Sequence, residues 1–161
     1  MTSIVKPIIG VTGHRNIIHD KEAVQKLLKQ KLSELQPASV ITGMAIGFDT
    51  LVAETCLEMG IPFIAAVPCI GQERIWPAGA QEHYRELIDK AQKVVIVSAG
   101  GYAAWKMHAR NSWIVNNSDS MICYFDGKDK GGTAGCVKYA SQKKKPLFNC
   151  FSSLLLPPAY Q

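Results

Sequence analysis

A doubly wound α/β fold, with a parallel sheet held between two layers of helices, is what the 161-residue chain predicts, and three observations carry it. Short apolar runs alternate with segments of helical periodicity from end to end. None of the runs alternates cleanly between apolar and polar residues, as a sheet with one wet face would. Several of the runs end in glycine or other small residues, the usual mark of strand exits that approach a ligand. The whole chain, 1–161, reads as one domain, with 152–161 as a C-terminal tail.

Taken in order, Ile8, Ile9, Gly10, Val11 and Thr12 form the first strand, ended by Gly13 and followed at once by His14 and Arg15. Asp20 suits the N-cap of a helix whose Val24, Leu27, Leu28, Leu32 and Leu35 recur at helical spacing until Pro37 stops it. Ser39, Val40, Ile41 and Thr42 make a second strand, with Gly43, Met44, Ala45, Ile46 and Gly47 as its exit. Asp49 suits the cap of a helix over 50–59, and Gly60 its stop. Residues 61–67 make a third strand, bounded by Pro68, and a loop with Arg74 and Trp76 leads to a helix over 80–90. Val94, Val95, Ile96 and Val97 make a fourth strand with a small-residue exit over 98–101. A helix over 106–117, a strand over 121–125 and a helix over 133–143 follow. Leu147 and Phe148 form a last short strand or extended tail.

Composition narrows the class. Hydrophobic residues are 47% of the chain and charged ones 19%, enough for a packed core and too little charge for a disordered chain. A formal charge of +5 suits an anionic ligand without naming it. Lys143, Lys144 and Lys145, the one dense basic run, fall at a helix end, where they complement the dipole. Cys56, Cys69, Cys123, Cys136 and Cys150 show no C-x-x-C pair and mostly sit in apolar runs, as small buried hydrophobes do. The expectation is a cytoplasmic protein with no metal, no resident cofactor and no membrane segment.

The functional signal gathers where a strand, a glycine loop and a helix meet. Gly131, Gly132, Thr133, Ala134 and Gly135 open the helix that follows the fifth strand. The free N–H groups of a helix start attract an anion, and glycine lets the ligand come close. Neither G-x-G-x-x-G after the first strand nor G-x-x-x-x-G-K-[ST] occurs, which disfavours the ordinary dinucleotide and P-loop readings. The candidate phosphate- or ligand-binding residues are therefore Gly13, His14, Arg15, Gly43, Met44, Ala45, Gly47, Asp49, Asn111 and the loop 131–135. Arg110 is the candidate catalytic or phosphate-clamping residue. His14 has no evident carboxylate to orient it as a base, and His83 and His108 read as structural.

Two blocks resemble one superfamily. Thr42-Gly43-Met44-Ala45-Ile46-Gly47-Phe48-Asp49 is similar to the S-G-x-A-x-G-x-D block of the DprA/Smf DNA-processing proteins. Met107-His108-Ala109-Arg110-Asn111, about 20 residues ahead of Gly131-Gly132-Thr133-Ala134-Gly135, resembles the M-H-x-R-K and P-G-G-x-G-T blocks of the LONELY GUY phosphoribohydrolases. Together with Gly10-Val11-Thr12-Gly13-His14-Arg15, they resemble the SMF/DprA–LONELY GUY (SLOG) superfamily, in its small single-domain, YpsA-like branch. The resemblance spans roughly residues 8–145 and implies a Rossmann-like fold, a nucleotide-like small-molecule partner and a homodimer or higher homo-oligomer.

It also implies three functions. The first is binding of a nucleotide or nucleotide derivative, as a sensor would, without cleavage. The second is LONELY GUY-like hydrolysis of nucleoside monophosphates. The glutamate that family carries after its glycine loop falls here at Val137 or Lys138, so the carboxylate that glycosidic cleavage needs is missing there. Glu54 and Asp49 are the carboxylates that remain to stand in. The third is DprA-like binding of single-stranded DNA, which exposed Trp76 and Tyr102 would favour and which is not the preferred reading.

Overall fold

The computed structural model describes residues 5–160 and gives a six-stranded, all-parallel sheet. The strands are β1 (Ile8–Gly13), β2 (Ser39–Thr42), β3 (Phe63–Val67), β4 (Lys93–Ile96), β5 (Ser120–Tyr124) and β6 (Leu147–Asn149). Between them run α1 (Lys21–Leu35), α2 (Phe48–Met59), α3 (Ala78–Lys90), α4 (Ala104–Asn116) and α5 (Gly132–Gln142). The spatial order is β4-β3-β2-β1-β5-β6, so β1 lies inside the sheet with β2 on one side and β5 on the other. This is the α/β, Rossmann-like, three-layer architecture that the alternation of patterns predicts.

The helices sort by face because the strand order reverses. From β1 to β4 the chain steps one way across the sheet, and α1, α2 and α3 bury Val24, Leu28, Val52 and Leu87 against Ile9, Val40, Phe63 and Ile122. After β4 it crosses back, and α4 and α5 bury Ile114, Val115, Cys136 and Ala140 against Ile41, Ala66 and Met121 on the other face. Right-handed crossovers require this change of side. The five cysteines are all buried, and burial pushes the thiols of Cys56, Cys123 and Cys150 up to about 12.

Local signals set most element ends. Asp20 caps α1 by accepting the N–H of Glu22 at 3.3 Å, and Gly60 ends α2 in the left-handed region. Two expectations are corrected. The helix read over 50–59 begins at Phe48 with Gly47 in the cap position, so Asp49 lies inside the first turn and is not the cap. The fourth strand is at the edge of the sheet, and Val94 and Ile96 stay 42% and 47% exposed instead of being covered on both faces. At the other end, Leu147 and Phe148 belong to a true sixth strand, and Leu154 packs back on the core.

Arg110 fastens α4 to the sheet. Its side chain is only 4% exposed, and Nη1 donates to the Gly43 carbonyl at 2.6 Å and reaches the Ala66 carbonyl at 3.5 Å. Nε donates to Asn111 Oδ1 at 2.9 Å. Hydrogen bonds made by a charged donor to buried carbonyls are stabilising, and losing them leaves acceptors short of partners. Gly43 O keeps one other donor, Gln72 Nε2 at 3.2 Å, which limits the loss. Arg110→Met is therefore expected to destabilise the fold by about 1–3 kcal/mol, read as a lower urea midpoint at an unchanged slope.

Candidate functional site

The reversal of strand order puts the carboxyl ends of β1 and β5 side by side, the place where open α/β sheets leave a crevice. Backbone bonds tie the two exits together. His14 N–H donates to the Tyr124 carbonyl at 3.1 Å, and the His14 carbonyl accepts from Phe48 N–H at 3.2 Å. The His14 ring continues the link. Its Nε2 accepts from Asp126 N–H at 3.0 Å and lies 3.2 Å from Asp126 Oδ1. So His14 does have a carboxylate neighbour, contrary to the sequence reading, on a loop whose distance along the chain hid it. Hydrogen bonding from Lys128 N–H is the main reason the Asp126 carboxyl sits below the usual carboxylate range.

A cleft of about 410 Å³ opens at this rim. Gly13, His14 and Arg15 come from the exit of β1, and Ala45 and Asp49 from the exit of β2 and the start of α2. Arg110 and Asn111 come from α4, and Gly131, Gly132 and Thr133 from the start of α5. These expected residues are brought together. Others are not: Met44 is fully buried in the core, Ala134 is 7% exposed in the packing of α5, and Gly43 abuts the Arg110 guanidinium. Gly47 and Gly135 border neighbouring hollows.

Backbone conformation explains two of these positions. Gly131 has φ 91° and ends in a helix start that no side chain caps, which leaves the first N–H groups of α5 for solvent or a ligand. At Gly47, φ is 96° and a Cβ would collide with the Arg15 carbonyl, so this glycine serves the packing of two loops. Met44 takes the left-handed region at φ 60° without being glycine, a strained choice at the turn into the cleft wall.

Sequence reading missed several cleft residues. Thr12, Met107 and Lys130 line it as well, as do His108, read from the sequence as structural, and Tyr102, named there only for the DNA reading. The i, i+3, i+4 spacing of Met107, Arg110 and Asn111 on α4 was the available signal for one shared face. Lys106 holds the neighbouring loop, its Nζ donating to the carbonyls of Ala99 at 2.5 Å and Gly101 at 2.6 Å. Trp76, a candidate for base stacking, is 7% exposed and packs edge-on against Tyr84, away from this cleft. Among the described residues, no cluster of three or more metal-ligating side chains occurs.

Asp49 and Arg110 set the electrostatics. Asp49 is 7% exposed, and its Oδ2 accepts from Ala45 N–H at 3.3 Å while its Oδ1 has no hydrogen-bond partner among the described residues. Burial raises its carboxyl pKa from 3.8 to about 6, against the pull of Arg110. Burial likewise lowers the Arg110 guanidinium, opposed by Asp49. A carboxyl whose folded pKa lies above its unfolded value gives stability at low pH that disappears as pH rises through the folded value. From about pH 3 to about pH 7.5, the native protein is expected to lose about 3 kcal/mol relative to Asp49→Asn, the worth of that shift. Urea unfolding of both proteins across this range measures it; parallel pH profiles would refute it.

Comparison with known proteins agrees with this architecture. A family model, DNA recombination-mediator protein A, matches residues 1–157. A UPF0398 protein of Brevibacillus brevis is 26% identical over 143 residues, covering 84% of this chain and 76% of the relative. The DNA processing protein A of Helicobacter pylori, described for its single-stranded DNA binding mode, superposes with a TM-score of 0.69 at 21% identity. That match covers 89% of this chain and 65% of the other, so this chain spans less than two thirds of it. The molybdenum cofactor binding protein of Rippkaea orientalis gives 0.61 at 22% identity, covering 91% and 77%. With nearly its whole length matched, the chain belongs to the DNA recombination-mediator protein A family, within the SLOG superfamily whose blocks its sequence carries.

Proposed function

We propose that the cleft binds a nucleotide or nucleotide-derived small molecule, its phosphate at the start of α5 and a donor group of its sugar on Asp49. One observation carries the reading. An uncapped helix start and Asp49, a buried carboxylate with one oxygen lacking a partner, line the same 410 Å³ cleft at the reversal point of the sheet. The helix N–H groups favour a phosphate, and a hydroxyl would give Asp49 Oδ1 the donor it lacks. Arg15, Lys130 and Arg110 add positive charge around an anion. Binding of a small-molecule cofactor by a fold neighbour is consistent with the proposal.

In this reading Arg110 acts from the cleft floor, already held by Gly43 and Asn111, and supplies its charge more than a free clamp. The chain then works as a binding module, homo-oligomeric as the resemblance implies. Gly132→Asp tests it. The residue is exposed and a Cβ there meets nothing closer than Asn111 Nδ2 at 3.9 Å, so the fold tolerates the change. A carboxylate at the helix start repels phosphate, and calorimetric affinity for AMP is expected to fall about tenfold or more with an unchanged melting temperature. Equal affinity for both proteins would remove the α5 start from the site. Native mass spectra of freshly purified protein identify any nucleotide that co-purifies.

Single-stranded DNA is the second reading, favoured by the 71% exposed Tyr102 at the cleft and the 62% exposed Trp105 beside it. Aromatic rings and cations together make a stacking platform along a strand. In this case fluorescence anisotropy of a labelled oligonucleotide shows binding that weakens steeply with added salt, and Tyr102→Ala weakens it further. No binding at low salt sinks this reading.

A further inference from the structure

A second cavity, of about 400 Å³, lies against the first and has no role in the reading above. Arg15 lines both. The exit of β2 forms the partition, with Ala45 facing the first cavity and Ile46 and Gly47 the second. The cavity is also lined by Trp76 and Tyr84, their rings 5.3 Å apart and edge-on, and by a carboxylate–imidazole pair in which Glu54 Oε1 lies 3.3 Å from His83 Nε2. So one wall is aromatic and aliphatic, one carries a carboxylate, and the boundary with the first cleft carries a cation. Each cavity alone is near the lower end of the usual range for small-molecule sites, about 300–1,000 Å³, and the two together reach its upper part.

We infer that this cavity is a subsite for the second head of a two-headed ligand: a planar, amine-bearing heterocycle joined through phosphate to the group in the first cleft. The inference rests on the nucleotide reading of that first cleft. Ile46, Trp76 and Tyr84 give the ring apolar surface, and Glu54 accepts its amino hydrogens. Arg15, shared by both cavities, meets the linking phosphates, for which a guanidinium is suited. A ring alone would gain no charge pairing here, and a mononucleotide fills only one side. Joining both heads in one molecule makes the second contact intramolecular.

The probes are AMP, with one adenosine head, and diadenosine diphosphate, with two heads joined 5′ to 5′. Calorimetry on the native chain is expected to show the two-headed probe binding at least about tenfold more tightly than AMP. Two variants locate the gain. Glu54→Leu removes both acceptor oxygens at similar volume, and Ala80→Trp fills the cavity from the first turn of α3. Each should abolish the advantage of the second head while leaving AMP affinity unchanged. If AMP binds and the second head adds nothing, or adds the same in both variants, the subsite is refuted and the first cleft stands. If neither probe binds, both readings fall together.

Discussion

Right-handed crossovers oblige the chain to change sides of the sheet when its direction of travel reverses, and here that happens once, between β4 and β5. Everything at the candidate site depends on that step. It brings β5 beside β1, 111 residues earlier by the pairing of Gly13 with Tyr124 and its neighbours, and lays α4 across the sheet on the way. Three strand exits and two helices then share one rim. No local propensity draws them together; the sheet does.

The same crossing creates the main electrostatic cost. α4 passes over β2 and β3, and Arg110 must go under it, where water is excluded. Carbonyls of Gly43 and Ala66 replace part of its hydration, and Asp49 supplies the opposing charge. The carboxylate is the partner left short: Asp49 Oδ1 has no hydrogen-bond partner among the described residues, and its pKa is raised. A fold shaped only for stability would place apolar side chains here, because buried ions seldom repay their desolvation. An incompletely paired carboxylate beside a cavity is the kind of strain that a bound ligand relieves.

Most of the architecture was legible in the sequence, for physical reasons. Helical spacing in Val24, Leu28 and Leu32 survives folding because α1 has one dry face, and Gly60 ends α2 because left-handed backbone favours glycine. The exposure of Val94 and Ile96 was not legible, since an edge strand has the same apolar composition as an inner one. The first turn of α2 misled for a different reason. Phe48 precedes Asp49, and a cap-type residue at the second position looks like a cap until the loop geometry moves the helix start upstream. His14 with Asp126, and Lys106 with the loop at Ala99 and Gly101, depend on tertiary placement that residue order does not encode locally.

Glycine explains why the candidate site was readable as a region and not residue by residue. Gly43, Gly47 and Gly131 all sit at strand exits, and composition treats them alike. In space their reasons differ. Gly43 and Gly47 are small because a guanidinium and a carbonyl press against them, whereas Gly131 has open space around its Cα. Close packing and ligand approach demand the same residue, so sequence alone separates them poorly. What separates them is whether the space a side chain would take is already filled. At the start of α5 it is empty, it adjoins the cleft, and the helix N–H groups there lack a cap. That combination, more than the abundance of glycine, is why the proposed anion is assigned to Gly131 and Gly132 and the other glycines to the walls.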